Sequence, residues 1–159
     1  MEKIRVEVEI EDRKEVKVIE VEGRSLEAVL EGVRALADME GEGLHVFERD
    51  CDDVIGVEIE TRKAISVIGH RHKKLKVTVR FEHHSPHHEF SPSTTVQKVL
   101  QWAVALPELK LDPTAKAKAN LILPGGDTPL PKDDMIGRYV KHPDHEVIFE
   151  LTLKDFTNG

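Results

Sequence analysis

The chain has 159 residues, with 23 Lys and Arg against 30 Asp and Glu, a formal net charge of −7 and a single cysteine. That length suits one domain or two small ones, because a β-rich unit of about 70 to 80 residues can just bury its own core. Cys51 alone excludes a disulfide framework and a thiolate metal site. No apolar run approaches the roughly 18 residues of a membrane span and no signal-peptide core opens the chain, so a soluble, cytoplasmic protein is expected.

Charge is spread unevenly: residues 1–60 hold 19 acidic and 8 basic side chains, and residues 61–159 hold 11 and 15. The two halves therefore present different surfaces. An acidic first half argues against nucleic acid as a partner, since phosphate binding draws on clustered Lys and Arg. Cys51 lies among Arg49, Asp50, Asp52 and Asp53, and neighbouring carboxylates raise a thiol pKa, which argues against a reactive thiol.

Ile4, Val6, Val8 and Ile10 alternate with polar residues as a half-buried strand, and after the polar Glu11-Asp12-Arg13-Lys14 turn, Glu15 to Val21 returns as its hairpin partner. Ser25 is placed to cap a helix whose stripe is Leu26, Val29, Leu30, Val33 and Ala37, with Gly41 and Gly43 ending it. Leu44 to Phe47, Val54 to Ile59 and Ala64 to Ile68 read as further strands.

The same order then recurs. Leu75, Val77, Val79 and Phe81 alternate, residues 82–88 form a polar turn, and Glu89 to Ser91 begins the return strand. Thr94-x-x-Gln97 has capping-box form ahead of a stripe of Val96, Val99, Leu100, Ala103 and Leu106, which Pro107 stops. Leu121-Ile122-Leu123 ends at a Pro124-Gly125-Gly126-Asp127 turn, and Ile136 and Tyr139 share the spacing of one short helical turn. Val147, Phe149, Leu151 and Leu153 then form one apolar face of a last strand. The repeat predicts two domains, residues 1–70 and 71–159, with Gly69 to Lys73 as a junction too short for free tumbling.

A helix crossing a mixed sheet fed by an N-terminal hairpin is the β-grasp arrangement, so the expected fold is α+β with two tandem β-grasp, ubiquitin-like domains. Leu121-Ile122, a Gly turn, Leu130, an Asp in the 133–134 pair, Ile136, Tyr139 and Val147-Ile148-Phe149-Glu150-Leu151 resemble the second half of ubiquitin in order and spacing. With Thr95 to Ala103, residues 73–159 resemble the ubiquitin-like proteins of bacterial conjugation operons. The tandem layout is similar to that of the interferon-induced two-domain modifier of vertebrates and of modifiers in bacterial antiphage operons.

The resemblance implies a protein modifier without catalytic residues of its own. Its partners would be an activating enzyme that consumes ATP, a conjugating enzyme, a deconjugating metalloprotease and a target protein, with a phage structural protein as one candidate. It further implies that Gly159 is the acyl donor at the isopeptide bond and that Lys154, Asp155, Phe156, Thr157 and Asn158 thread the enzyme channels. A terminal glycine suits that role because it carries no Cβ to obstruct two reactive centres. The chain departs from ubiquitin in ending Thr157-Asn158-Gly159 instead of Gly-Gly. The rival readings are a tandem adaptor that is never conjugated and a sulfur carrier with a C-terminal thiocarboxylate.

Ile122 occupies the position of the central residue in ubiquitin's exposed apolar patch, and is either a docking residue or an ordinary core residue. Trp102 lies off the helix stripe, which assigns it to an interdomain seam or a partner surface. His70, His72, His83, His84, His87 and His88 carry metal-donor imidazoles, but they crowd turns without a Cys or clear fourth ligand, and no metal is expected. No Walker loop, dinucleotide fingerprint or nucleophile elbow is present, so neither an enzyme nor a cofactor of the chain's own is expected.

Overall fold

The computed structural model describes residues 3–11, 15–37, 44–140 and 143–154. In the first unit, β1 (Lys3–Ile10) and β2 (Lys17–Glu22) pair antiparallel, from Lys3 opposite Glu22 to Val8 opposite Lys17. The Ser25 hydroxyl caps α1 (Leu26–Leu36) by accepting the Ala28 N–H at 3.2 Å. Val29 and Val33 are fully buried. Ala37 is the C-cap, and Gly41 and Gly43 lie outside the described residues.

The sheet is completed by β3 (His45–Glu48) and β4 (Ala64–His70) in the order β2-β1-β4-β3, with β1 and β4 parallel at its centre. The strand expected at Val54 to Ile59 is absent. Val54 makes one isolated bridge to Phe47, and Val57–Thr61 winds into a 3-10 turn. The reason lies in the spacing: Ile55 and Ile59 are buried four residues apart, while Val57, which alternation would turn inward, is 67% exposed.

The second unit repeats the plan with β5 (Leu75–Arg80), β6 (His87–Phe90), α2 (Val96–Val104), α3 (Pro113–Lys118), β7 (Asn120–Ile122) and β8 (Glu146–Thr152). Its order is β6-β5-β8-β7, with β5 and β8 parallel. Ile136–Tyr139 forms the expected short turn, as a 3-10 helix. These two four-stranded sheets, each crossed by a helix, are two tandem β-grasp units of the α+β class.

Two local details depart from the sequence reading. The helix cap is Thr95, whose Oγ1 accepts the Lys98 N–H at 3.3 Å, and not Thr94, whose hydroxyl lies 3.2 Å from Ser91 Oγ. Gln97 therefore closes no capping box; its N–H donates to the Lys132 carbonyl. The helix α3 was not anticipated, although Asp112 followed by Pro113 is a helix-start signature: Asp112 Oδ1 accepts the Ala115 N–H at 2.7 Å and Pro113 opens the helix.

Each unit has its own apolar core, the first built on Ile4, Val6, Val29, Val33 and Ile59, the second on Leu75, Val77, Val99, Leu121 and Phe149. A third cluster, Phe47, Ile68 and Met135, joins residues of both units. Among the described residues, no helix is long and apolar enough to cross a membrane.

Candidate functional site

The end of β8 is where the proposed acyl tail departs. Val147, Phe149 and Leu151 point into the core while Ile148, Glu150 and Thr152 alternate outward, as period-two patterning requires. β8 is an inner strand, paired parallel to β5 and antiparallel to β7. Whatever follows it therefore starts from a point fixed on both sides. Leu153 is half-buried against the core, and the exposed Lys154 donates its N–H to Thr152 Oγ1 at 3.1 Å. Asp155, Phe156, Thr157, Asn158 and Gly159 lie outside the described residues.

A groove of about 440 Å³ opens beside Leu153, walled by Phe81, His83 and His84 from the β5–β6 turn and by Leu109 and Leu111. Two left-handed residues shape it, Glu82 at φ 56° and Lys110 at φ 51°. The imidazoles of His83 and His84 lie tilted to each other with ring centres 4.2 Å apart, whereas His88 packs on Phe90 and Trp102. Among the described residues, no three His, Cys, Asp or Glu side chains converge as metal ligands.

Ile122 is half-buried on the outer face of the second sheet. It stands opposite Glu150, which in turn stands opposite Arg80, so the row across β7, β8 and β5 is one aliphatic and two charged side chains. Leu123, the next residue, is 40% exposed. Trp102 is not at the seam between the units. It lies edge-on to Phe90 with ring centres 5.5 Å apart and covers the β6 edge of its own core, because the face of α2 adjoining its buried stripe points toward β6.

The seam instead combines buried polar side chains with a small apolar cluster of Phe47, Ile68 and Met135. Asp50, at φ 60°, accepts the Thr95 N–H at 2.9 Å, and its own N–H donates to the Ser93 carbonyl at 2.9 Å. The Cys51 carbonyl accepts Ser93 Oγ at 2.6 Å and Ser91 Oγ at 3.2 Å. The Cys51 thiol itself is pushed up, by burial first and then by Glu48, and is a poor nucleophile. Arg138 pairs with Asp134 of its own unit at 2.7 Å and reaches across the seam to Glu9 at 3.3 Å, and the Tyr139 hydroxyl donates to Asp134. Burial raises the Glu9 carboxyl and, together with the Asp134 hydrogen bond, raises the Tyr139 phenol.

His70 is fully buried at the junction, and burial lowers its pKa against the opposing pull of Glu11. Its Nε2 lies 3.0 Å from the Val140 carbonyl, and its Nδ1 accepts the His72 N–H at 3.0 Å. A neutral ring protonated at Nε2 satisfies both contacts. Glu11 also pairs with Arg71. None of these seam contacts was foreseen. The one available signal was the run Ser91-Pro92-Ser93-Thr94-Thr95, whose serines and threonines are all buried.

The family comparison agrees with the architecture of the second unit. Residues 76–154 match the family model described as BilA ubiquitin-like domain 2. Among solved structures, Caldiarchaeum subterraneum ubiquitin aligns with 53% of this chain and 98% of its own length, at 16% identity and a TM-score of 0.39. No curated protein matches the chain. With a ubiquitin-like domain model matched over β5 to β8 and the same strand order repeated in β1 to β4, this chain is a ubiquitin-like protein.

Proposed function

We propose that the protein is a modifier joined to target proteins through the carboxylate of Gly159, presented as encoded or after trimming. The observation that carries this reading is that the matched ubiquitin-like domain ends at Lys154, two residues past an inner strand held on both sides, with the Gly159-bearing segment immediately after it. A partner activating enzyme would supply the chemistry. The Gly159 carboxylate attacks the α-phosphorus of ATP and releases pyrophosphate. The enzyme's cysteine thiolate then displaces AMP to form a thioester, and finally a target lysine amine displaces the thiolate to form an isopeptide bond. A conjugating enzyme would carry the thioester and a metalloprotease would reverse the bond. This chain contributes the fixed root, the exposed Lys154 and the unobstructed glycine.

The setting we infer is the bacterial cytoplasm and antiphage defence, with a phage structural protein as a candidate target. The test is incubation with the cognate activating enzyme and ATP, read by intact mass. A thioester-linked adduct that thiols release is the expected result. Its absence with an enzyme that is active on ATP would favour the unconjugated adaptor, and a thiocarboxylate product would identify a sulfur carrier.

A further inference from the structure

The groove beside Leu153 has walls fixed by hydrogen bonds and takes no part in the modifier chemistry. Its floor is the buried Leu109, and its apolar walls are Phe81, Leu111 and Leu153, each only partly buried against the second core. Two backbone hydrogen bonds between Phe81 and His84, at 3.0 and 2.9 Å, pin the β5–β6 turn, and the Lys110 N–H on the Pro107 carbonyl at 3.1 Å pins the opposite wall. Glu82 and Lys110, one on each wall, hold left-handed backbone that residues other than glycine seldom adopt. A preformed space of about 440 Å³, bounded by three half-covered apolar side chains, has room for a further aromatic ring.

The chain supplies such a ring close at hand. From Lys154 onward the one large apolar side chain is Phe156, three residues after Leu153 and the second residue beyond the described ones. Neither neighbouring strand holds the chain at this point: pairing with β5 ends at Glu150 and pairing with β7 at Thr152. In a strand that ran straight on, Phe156 would face away from Leu153, because side chains alternate and three is an odd step. The chain instead begins to turn at the exit, where Thr152 Oγ1 accepts the Lys154 N–H at 3.1 Å. A β-turn from Leu153 to Phe156 would bring its end Cα atoms within about 7 Å and place Asp155, a residue type suited to turn backbone, at its third position. The rim suits these residues, since Glu82, Glu108 and Asp112 favour the Lys154 ammonium and Lys110 favours Asp155. So short a tether gives the ring an effective concentration on the order of millimolar, an advantage that no separate partner segment shares.

We propose that Leu153 to Phe156 turns back and seats the Phe156 ring in this groove against Phe81, Leu111 and Leu153. Seated there, the ring would hold the residues that follow, Gly159 included, on the second unit and shelter the peptide bond after Phe156 from proteases. A partner that takes the tail would have to draw the ring out first. The contact is a property of the folded chain and does not depend on what is done with Gly159.

The test is NMR on the full chain with leucine methyls labelled, together with chymotrypsin digestion read by intact mass. Expected are nuclear Overhauser contacts from the Phe156 ring to the Leu111 and Leu153 methyls, upfield shifts of those methyls that Phe156→Ala abolishes, and both features unchanged on tenfold dilution. Ala115 lines the same groove from α3, so Ala115→Trp should fill it. The contacts should then vanish and cleavage after Phe156 should rise at least tenfold, while the wild-type contacts stand as a measurement that needs no variant to fold. The proposal is overturned by no contact from Phe156 to either leucine, by contacts to the Ile122 and Leu123 face in their place, by contacts that fade on dilution and so come from a second copy, or by equal cleavage of wild type and folded Ala115→Trp.

Discussion

Asp50 Oδ1 accepts the Thr95 N–H at 2.9 Å, so a loop residue of the first unit holds the capping residue of the second unit's helix. Asp50→Asn keeps a side chain that tolerates φ 60° and removes the charge. It should cost about 1 kcal/mol, less than the roughly 1.5–3 kcal/mol of a hydrogen bond to a charged group, because the amide oxygen still accepts the Thr95 N–H. Trp102, the only tryptophan, lies wholly in the second unit and reports on it. A denaturant midpoint by Trp102 fluorescence that does not move would mean the two units are energetically independent despite their contact.

Gly137 lies where the units press together. A Cβ at this position would stand 2.7 Å from Ile68 Cδ1 and 2.8 Å from Pro92 Cβ. Gly137→Ala should therefore destabilise by roughly 1–3 kcal/mol through overpacking. Ile68→Val removes the clashing methyl, so the double variant should be more stable than the separate costs predict. Strict additivity in a double-mutant cycle would show that the seam opens instead of compressing.

His70 sets a pH dependence whose sign follows from burial. Its folded pKa lies below the ordinary 6.5, so the folded state resists protonation more than the unfolded chain does. Its contribution is complete above about pH 6.5 and is lost as pH falls from there toward the lowered folded value. Replacement by Gln, which retains a donor for the Val140 carbonyl, should flatten this part of the profile. Comparing the two proteins isolates His70 from Glu9, whose raised carboxyl acts in the opposite sense as pH falls. Parallel stability curves between pH 7 and 5 would refute the assignment.

Ile122→Ala should slow charging by the activating enzyme severalfold, mainly through KM, if the half-buried outer face docks the enzyme. Its stability cost should stay below the roughly 2–5 kcal/mol of a fully buried site, because the side chain is only partly buried. Unchanged charging kinetics would return Ile122 to a purely structural role.

Gly159→Ala should leave the melting temperature unchanged, since the change removes no apolar side chain from either core. Charging should fall by up to about a hundredfold, the scale set by a 1 Å misplacement at a reacting centre. Equal charging of wild type, Gly159→Ala and a Gly159 deletion would remove the tail from the chemistry.

The sequence by itself determined most of the elements, because period-two alternation in Val147 to Leu151 and the α2 stripe of Val96, Val99, Leu100 and Ala103 report burial directly along the chain. The repeated order of elements followed from the same patterns, and with it the two β-grasp units. Where two periodicities competed the pattern misled, as at Val54 to Ile59, where only packing of Ile55 and Ile59 on one core selected a 3-10 turn over a strand. The contacts of the seam were not legible. Asp50 and Thr95 are 45 positions apart, and the buried serines and threonines before α2 look solvated in a one-dimensional reading. Trp102, read as belonging to the interdomain seam or a partner surface because it lies off the stripe, packs beside β6 and not at the seam, since a helix flank has more than one neighbour and only the sheet's placement decides which. Hydrophobic periodicity records which side of an element is buried, while the identity of the element across from it depends on tertiary contacts that no local pattern encodes.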